Sequence, residues 1–279
     1  MRTYFQMVSG SSRFRAPMFA ILLTMLAGCG TGINLYSTQD DINLGSKMQA
    51  EIAKDPKTYP VLNDARVTGY VQGIVNRIVQ SPNVKNKNFR YQVTVIHDDK
   101  TVNAFAIPGG PIYVYTGLMK YIDDEATLAG VLAHEITHVD HRHGSRQMSE
   151  QYGIQIISGL ALGNNPGTLA TIAANLGTQL TVLKFTRADE SEADAGSFDD
   201  LYQMPGRPWY PAAINAFMTK SKNLSGSNPG AVNQLFLTHP PSQERFDAVA
   251  AMAKKVNLPA ATSSQLNAQG YSSIRAMLP

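Results

Sequence analysis

Four of the chain's six histidines lie within the stretch VLAHEITHVDHRHG, residues 131 to 144. His134 and His138 are four positions apart, so on an α-helix their side chains project from the same face. Two imidazoles at this spacing can bind one zinc ion at about 2.0–2.1 Å. Glu135 directly follows the first histidine. Its carboxylate would lie beside the metal without binding it, where it could take a proton from an attacking water.

This H-E-x-x-H pattern is typical of zinc peptidases, although five-residue patterns also recur by chance in helices that merely contain histidine. Whether this pattern is a zinc site or a chance occurrence depends on a third ligand, because catalytic zinc keeps three protein ligands and one open position. An extended form of the pattern needs Gly seven and His ten residues after the first histidine. This chain has His141 and Gly144 there. We therefore predict that His141 and His143 are solvated or cap the end of the helix, which should stop at Gly144.

The third ligand should be a carboxylate on another helix. The segment 185–204 offers Glu190, Glu192 and Asp194. Glu190 and Asp194 share a helix face, whereas Glu192 points elsewhere. We predict that Glu190 binds the metal and that Asp194 accepts a hydrogen bond from the second ring nitrogen of a ligating histidine. The alternative is a solvated acidic helix start, which is common without any metal.

These motifs together resemble the zinc peptidases of metallopeptidase family forty-eight, which includes HtpX, LoiP and BepA. The resemblance covers residues 38 to 255 in the same order and combines five stretches: Leu44-Gly45, Val102 to Gly110, His134 to His138, Arg187-x-x-Glu190-x-x-Ala193-Asp194, and Thr238 to Pro241 with Arg245. It implies one zinc ion per chain at His134, His138 and Glu190, with Glu135 as the base.

The resemblance also implies further residues of a peptidase cleft. The strand and turn at 102–110 would bind an extended substrate backbone through the residues Asn103, Ala104, Phe105, Gly109 and Gly110. His239 or Arg245 would stabilise the oxyanion that forms during hydrolysis. His239 could equally occupy the fourth zinc position and switch the enzyme off. The sequence leaves both roles of His239 open.

The N-terminus has the features of a bacterial lipoprotein signal. Residues 1 to 28 contain three arginines, no acidic residue and an apolar run from Ala16 to Ala27. This run is too short for a spanning helix of about 20 residues. Cys29, the only cysteine, follows Leu26-Ala27-Gly28 as in a lipobox and is the predicted lipidation site. Gly30 after it favours a lipid anchor in the outer membrane, on the periplasmic side of the envelope.

The charge of the chain argues against nucleic-acid binding. The chain has 24 basic and 21 acidic residues, and removal of the three arginines in residues 1–28 leaves 21 of each. A nucleic-acid-binding protein would need a basic face, which this balance does not favour.

The spacing of apolar residues predicts an α+β fold, mainly helical, with a small early β-sheet. The family resemblance implies a zincin-type peptidase domain with an active-site helix. Helices are expected at 40–54, 64–80, 123–143, 146–162, 167–185, 187–203, 210–222 and 241–256. Strands are expected at 89–96, 102–107 and 111–115, the last two forming a hairpin. The predicted domains are a signal peptide (1–28), a peptidase domain (29–256) and a weakly ordered C-terminal tail (257–279).

The predicted function is zinc-dependent hydrolysis of peptide bonds in unfolded or misassembled envelope proteins. Two alternatives remain at this point. One is a chaperone-like assembly factor for outer-membrane proteins, with possible contacts to their assembly machinery and a mostly closed zinc site. The other is a structural zinc protein, which is disfavoured because structural sites commonly use cysteine.

Overall fold

The structure, a computed structural model, describes residues 32–161, 185–224 and 239–279. Two stretches with predictions lie outside these residues: the N-terminal signal with Cys29, and 162–184, which holds most of the helix expected at 167–185. Thr238 also lies outside them. Within the described ranges, no helix is both long and apolar enough to cross a lipid bilayer. The chain forms ten helices and three strands there, which confirms the α+β class: α1 Thr38–Ala53, α2 Ala65–Ile78, β1 Val93–Ile96, β2 Ala104–Ala106, β3 Ile112–Tyr115, α3 Thr116–Tyr121, α4 Glu125–Asp140, α5 His143–Ala161, α6 Arg187–Gln203, α7 Ile214–Leu224, α8 Gln243–Lys255, α9 Ser263–Leu266 and α10 Ala268–Arg275.

The three strands form one sheet in the order β1-β3-β2. β3 pairs in parallel with β1 and antiparallel with β2, so the predicted hairpin is confirmed and β2 lies at an edge of this sheet. The first strand is shorter than predicted and begins at Val93. The Gln92 carbonyl still accepts from the Ile112 N–H of β3 at 2.8 Å, but the Arg90 N–H donates to the Gly109 carbonyl (2.9 Å) at the hairpin turn instead of to β3.

Helix α4 carries the H-E-x-x-H residues through the centre of the molecule. Asp124 caps its N-terminus by accepting from the Thr127 N–H at 2.7 Å, as the sequence predicts. Every residue of the helix is buried. A helix buried on all sides is held by its neighbours rather than by one apolar stripe. The side chains of His134 and Glu135 are therefore positioned by tertiary packing.

The predicted end of this helix at Gly144 is wrong. α4 ends at Asp140, and Arg142 adopts a left-handed backbone conformation with φ of 58° before α5 begins at His143. The Arg142 side chain forms an ion pair with the buried Asp41 at 2.5 Å and also contacts the Tyr36 carbonyl. A contact about one hundred residues away in sequence thus fixes the turn, which local spacing could not reveal.

Helix α6 crosses α4 and brings the acidic segment to the histidines. Thr186 and Asp189 form a reciprocal capping box at its start, which accounts for one acidic residue of the first turn. Further along, the Ser197 hydroxyl donates to the Gly130 carbonyl of α4 at 2.9 Å. These two contacts fix the rotation of α6 and direct Glu190 towards α4.

The expectation of a weakly ordered tail at 257–279 is wrong. Residues in this range form α9 and α10, and Tyr271 is fully buried in the main core. Its hydroxyl donates to the Met119 carbonyl at 2.6 Å, and Asn267 donates to the buried Glu125 carboxylate at 2.6 Å. Burial of a tyrosine with its hydroxyl satisfied stabilises a segment too short for a clear helical pattern.

Asp200, on the part of α6 distant from the histidines, should make stability depend on pH. Burial raises the pKa of its carboxyl from 3.8 to about 7, although a hydrogen bond with Ser81 opposes the shift. A pKa that is raised in the folded state means that stability falls as pH rises from about 4 to about 7. We expect Asp200→Asn to be more stable than the wild type at pH 8, by up to about 4 kcal/mol, and closer to it at pH 5.

Urea denaturation of both proteins at the two pH values measures this difference in the free energy of unfolding. All other titratable groups are common to both proteins, so their effects cancel in the difference. Asp247→Asn, which changes an exposed carboxylate on α8, is the matched control and should show no such trend. An Asp200→Asn variant that is less stable at pH 8 would show that the charged carboxylate stabilises the fold.

Candidate metal centre

Four buried side chains direct their donor atoms to one point between α4, α6 and the start of the C-terminal region. They are His134, His138, Glu190 and His239, whose donor atoms all lie within 4.8 Å of one another. The Nε2 atoms of the two α4 histidines are 3.0 Å apart, and Glu190 Oε1 lies 3.4 Å from that of His138. The structure thus brings together the three predicted ligands.

His239 approaches the same point from the opposite side. Its Nδ1 lies 2.9 Å from Glu190 Oε1 and 3.4 Å from His134 Nε2. Two donors bound at about 2.0–2.1 Å to one tetrahedral ion are about 3.3 Å apart. Four of the donor separations are close to this value, at 2.9 to 3.4 Å, whereas His134 Nε2 and Glu190 Oε2 are 3.7 Å apart. All four donors lie within 4.8 Å of one another, so together they could hold one small cation. Three imidazole nitrogens and a carboxylate oxygen are also the donor types that divalent transition metals take.

Asp194 lies behind His134, as the sequence predicts. Its Oδ1 is 3.0 Å from His134 Nδ1, which is within hydrogen-bond distance. The Arg245 guanidinium holds this carboxylate with two contacts, Nε to Oδ2 at 2.6 Å and Nη2 to Oδ1 at 2.7 Å. Burial would raise the pKa of Asp194, but Arg245 and His134 outweigh it and hold the pKa below its ordinary value. Asp194 is thus placed to accept from His134 as a charged carboxylate.

Arg245 contacts a second carboxylate as well. Its Nη1 lies 2.6 Å from Glu190 Oε2 and 3.1 Å from the Pro240 carbonyl. All three guanidinium nitrogens therefore already face protein oxygens. This arrangement favours a role in holding Glu190 and Asp194 over the predicted direct contact with the oxyanion.

The prediction that His143 is solvated or a simple cap is wrong. His143 is fully buried, and its Nδ1 lies 2.8 Å from Nδ1 of His138. Its Nε2 contacts Glu192 Oε2 at 3.2 Å, and the half-buried His141 contacts Oε1 of the same glutamate at 2.8 Å. Local sequence spacing cannot reveal this burial, because the turn at Arg142 changes the direction in which His143 points.

Glu135 lies beside the donor cluster and outside it. Its Oε1 is 3.6 Å from His239 Nε2, and its carboxylate interacts with the backbone of Ala106 on β2. Burial raises the pKa of the Glu135 carboxyl above its ordinary value, although His239 and His134 oppose the shift. A carboxylate with a raised pKa is a better base than an exposed one and can also return the proton.

Opposite charges determine the ionisation of the other groups in the centre. Burial would raise the pKa of Glu190, but His239 and His138 outweigh it and hold the pKa far below its ordinary range. Burial would lower the pKa of His239, but Glu190 and Glu135 outweigh it and raise the pKa. Glu190 is therefore available as a charged ligand.

The β2 edge strand runs beside Glu135 and contains two of the predicted substrate contacts. Ala104 and Phe105 are both on β2, where Phe105 is half-buried and stacks on Tyr113 with ring centroids 4.7 Å apart. Asn103, just before the strand, is buried, and its carbonyl accepts from the Tyr115 N–H at 3.1 Å. Among the described strands β2 pairs with β3 alone, so no described strand occupies its other edge, where an added strand could pair.

Gly109 and Gly110 belong to the hairpin turn and not to a substrate surface. Both have positive φ angles, 79° and 121°. A Cβ on Gly109 would lie 2.7 Å from the Asp41 carbonyl oxygen, and one on Gly110 would lie 2.5 Å from the backbone of Arg90. Both glycines are buried against protein backbone, so the predicted substrate contact is replaced by a packing role.

A small apolar cavity of about 30 Å³ adjoins the donor cluster. It borders Glu135 and His239, and Ser221 belongs to its polar lining. Its apolar lining comes from α4 and α7: Val131, Ile214, Phe217 and Met218. No pattern in the sequence indicates this cavity, because packing of α7 on α4 brings α7 next to the metal centre. Phe185, which stacks on His138 with ring centroids 4.0 Å apart, was also missed.

Comparison with known proteins identifies the family. Residues 65–253 match the profile of the family described as Peptidase family M48. This range contains the H-E-x-x-H helix, Glu190 and Asp194, His239 and Arg245, and amounts to well over half of the chain.

Individual relatives are proteases by their descriptions, and one of them is described as a metalloprotease. A beta-barrel assembly-enhancing protease of Yersinia pestis is 31% identical over 217 residues, which cover 74% of this chain and 43% of that protein. The protein of the same description from Escherichia coli (strain K12) is 29% identical over 245 residues, 83% of this chain and 47% of that protein. Metalloprotease LoiP of the same strain is 32% identical over 166 residues, 58% and 62% of the two chains. The chain thus spans about half the length of these curated relatives.

Proposed function

The chain belongs to peptidase family M48, and from this premise we propose that it is a zinc-dependent endopeptidase of the bacterial cell envelope. The observation that carries the proposal is the buried convergence of His134, His138 and Glu190, with the Glu135 carboxylate beside it. The four donors lie close enough together to bind one ion, and zinc is the ion that H-E-x-x-H peptidases use.

Each residue of the centre has a separate role in the proposed hydrolysis. Zinc, when bound, would polarise the scissile carbonyl and make water more acidic. Glu135 then takes the proton from the attacking water and gives it to the leaving amine. Asp194 and Arg245 hold His134 and Glu190 in place. The ligand side chains therefore need not move during the reaction.

The proposed substrates are unfolded or misassembled envelope proteins. The edge of β2 that no described strand occupies can pair with an extended backbone, and such pairing requires a segment that is not already folded. The apolar cavity beside Glu135 would accept a small apolar side chain next to the scissile bond. Pairing through the backbone makes the enzyme tolerant of most other residues.

The proposed location follows from the N-terminal sequence. Residues 1–28 act as a lipoprotein signal and Cys29 carries the lipid, which anchors a periplasmic peptidase domain to the outer membrane. The relatives named beta-barrel assembly-enhancing protease support a place in outer-membrane protein assembly. The boundary between signal and peptidase domain at residue 29 belongs to this proposal.

The test measures bound metal and cleavage with the same protein preparation. The purified chain should contain one zinc per molecule and degrade unfolded casein, while a folded globular protein stays intact. A chelator should abolish cleavage, and added zinc should restore it. A preparation that binds no zinc under any condition would contradict the proposed ligands.

A second function, that of an assembly factor with a mostly closed site, is favoured by the position of His239. Its Nδ1 completes the set of four donors, and four protein ligands are typical of closed sites. We propose that His239 holds the fourth position in the resting enzyme and leaves it when substrate binds.

Replacement of His239 distinguishes its two proposed roles. We expect His239→Ala to cleave casein several-fold faster than the wild type, because the fourth position becomes open to water. The measurement compares initial rates at equal zinc content. A fall in rate of about 10²- to 10³-fold, the usual loss on removal of one oxyanion donor, would instead show that His239 stabilises the oxyanion.

A further inference from the structure

A second chain of contacts leads away from the metal centre on the side of His138. Nδ1 of His138 lies 2.8 Å from Nδ1 of His143. Nε2 of His143 lies 3.2 Å from Glu192 Oε2, and His141 contacts the other oxygen of that carboxylate at 2.8 Å. The proposed mechanism uses none of these three residues. They nevertheless connect a ligating histidine to a carboxylate at the surface.

The protons along this chain can be assigned from the contacts. His138 presents Nε2 to the donor cluster, 3.4 Å from Glu190 Oε1, so this nitrogen needs a free lone pair to bind a metal. A neutral imidazole has a single N–H, which must then be on Nδ1 of His138. Nδ1 of His143 has to accept it. The only N–H of His143 is consequently on Nε2, where the Glu192 carboxylate accepts it.

We propose that His143 is a positioning residue that fixes the tautomer and ring orientation of His138, and that Glu192 anchors His143. This inference rests on the proposed zinc site. His134 has a carboxylate, Asp194, directly behind its second nitrogen, whereas His138 reaches one only through an interposed imidazole. Partners that orient a metal-binding histidine in this way raise metal affinity by 10- to 100-fold.

A second metal site at His141, His143 and Glu192 is the main competing interpretation, since their donor atoms also cluster. Two observations oppose it. Arg146 lies close by, with Nη2 4.0 Å from Glu192 Oε2, and a guanidinium disfavours a cation there. His143 Nε2 also cannot bind a metal while it donates a proton to Glu192, and its Nδ1 is already directed at His138.

The test measures the zinc dissociation constant of the full chain by competition with a chromophoric chelator. His143→Phe keeps a buried ring and removes both nitrogens, and we expect zinc to bind 10- to 100-fold more weakly. His143→Asn keeps an acceptor near the position of Nδ1 and should recover most of the affinity. His141→Ala is the matched control, because His141 contacts the same glutamate without reaching His138, and its affinity should be unchanged.

Glu192→Ala is a second variant in case His143→Phe does not fold, because half of the Glu192 side chain is exposed. We expect a smaller loss of zinc affinity, about three- to tenfold. The absorption spectrum of the cobalt-substituted protein gives a readout independent of cleavage. It should change in His143→Phe and stay the same in His141→Ala.

The outcomes separate this inference from the proposed function. If the wild type binds one zinc and cleaves, while His143→Phe and Glu192→Ala bind zinc as tightly as the wild type, the positioning role is wrong and the peptidase remains. If the wild type binds two zinc ions and His143→Phe binds one, the residues form a metal site and the inference is overturned. If the wild type binds no zinc, the proposed function fails together with the inference.

Discussion

Glu135→Gln should reduce cleavage of casein by about 10²- to 10⁴-fold, the usual contribution of a positioned general base. The amide cannot take a proton from water. Glu135 lies outside the donor set, so the variant should keep its zinc. Because burial raises the pKa of this carboxyl, its neutral replacement should not destabilise the fold. Initial rates, zinc content and the melting temperature, measured on one preparation, check all three expectations.

Glu244→Gln is the matched control, since Glu244 is an exposed carboxylate in the first turn of α8. It should cleave like the wild type. A Glu135→Gln variant that cleaves at the wild-type rate would exclude Glu135 as the base. A variant that loses its zinc would instead show that Glu135 contributes to metal binding.

Arg245→Met should lower the free energy of unfolding of the metal-free protein by about 3–5 kcal/mol, the usual cost of removing one partner from a buried ion pair. The side chains of Arg245, Asp194 and Glu190 are all buried, with exposed fractions of 8%, 2% and 1%. The substitution leaves two carboxylates without their counter-ion. Methionine fills most of the volume, so lost packing adds little.

Urea denaturation in the presence of a chelator measures this effect, because bound zinc would itself compensate the charge of Glu190. Arg275→Met is the matched control. Arg275 is 39% exposed, and its ion pair with Asp123 is long, at 3.8 Å. The control should change stability by less than about 1 kcal/mol. An Arg245→Met variant as stable as the wild type would show that both carboxylates can take up protons at little cost.

Zinc should offset part of the defect in Arg245→Met. Glu190 is a proposed ligand whose charge zinc would stabilise directly, whereas Asp194 is not a ligand and contacts Nδ1 of His134. We therefore expect added zinc to raise the melting temperature of the variant by more than that of the wild type. Asp194→Asn, made in the wild type and in Arg245→Met, completes a double-mutant cycle. The free energies of unfolding of the four proteins give the interaction energy between Arg245 and Asp194.

Local geometry explains what the sequence could determine. His134 and His138, and likewise Glu190 and Asp194, share a face because any α-helix places residues four apart in line. The cap at Asp124 and the β2–β3 hairpin also follow from signals within a few residues. These elements were predictable because each depends on backbone geometry that neighbouring residues settle.

Tertiary structure alone decided which side chains meet around these elements. The turn that buries His143 depends on an ion pair between Arg142 and Asp41, and the placement of Gly109 depends on the backbone of α1. The C-terminal helices are ordered by Tyr271 in a core formed mostly by earlier residues. The reason is common to all three. Each contact joins residues far apart in sequence, and its free energy comes from burial and charge pairing that exist only after the chain has folded.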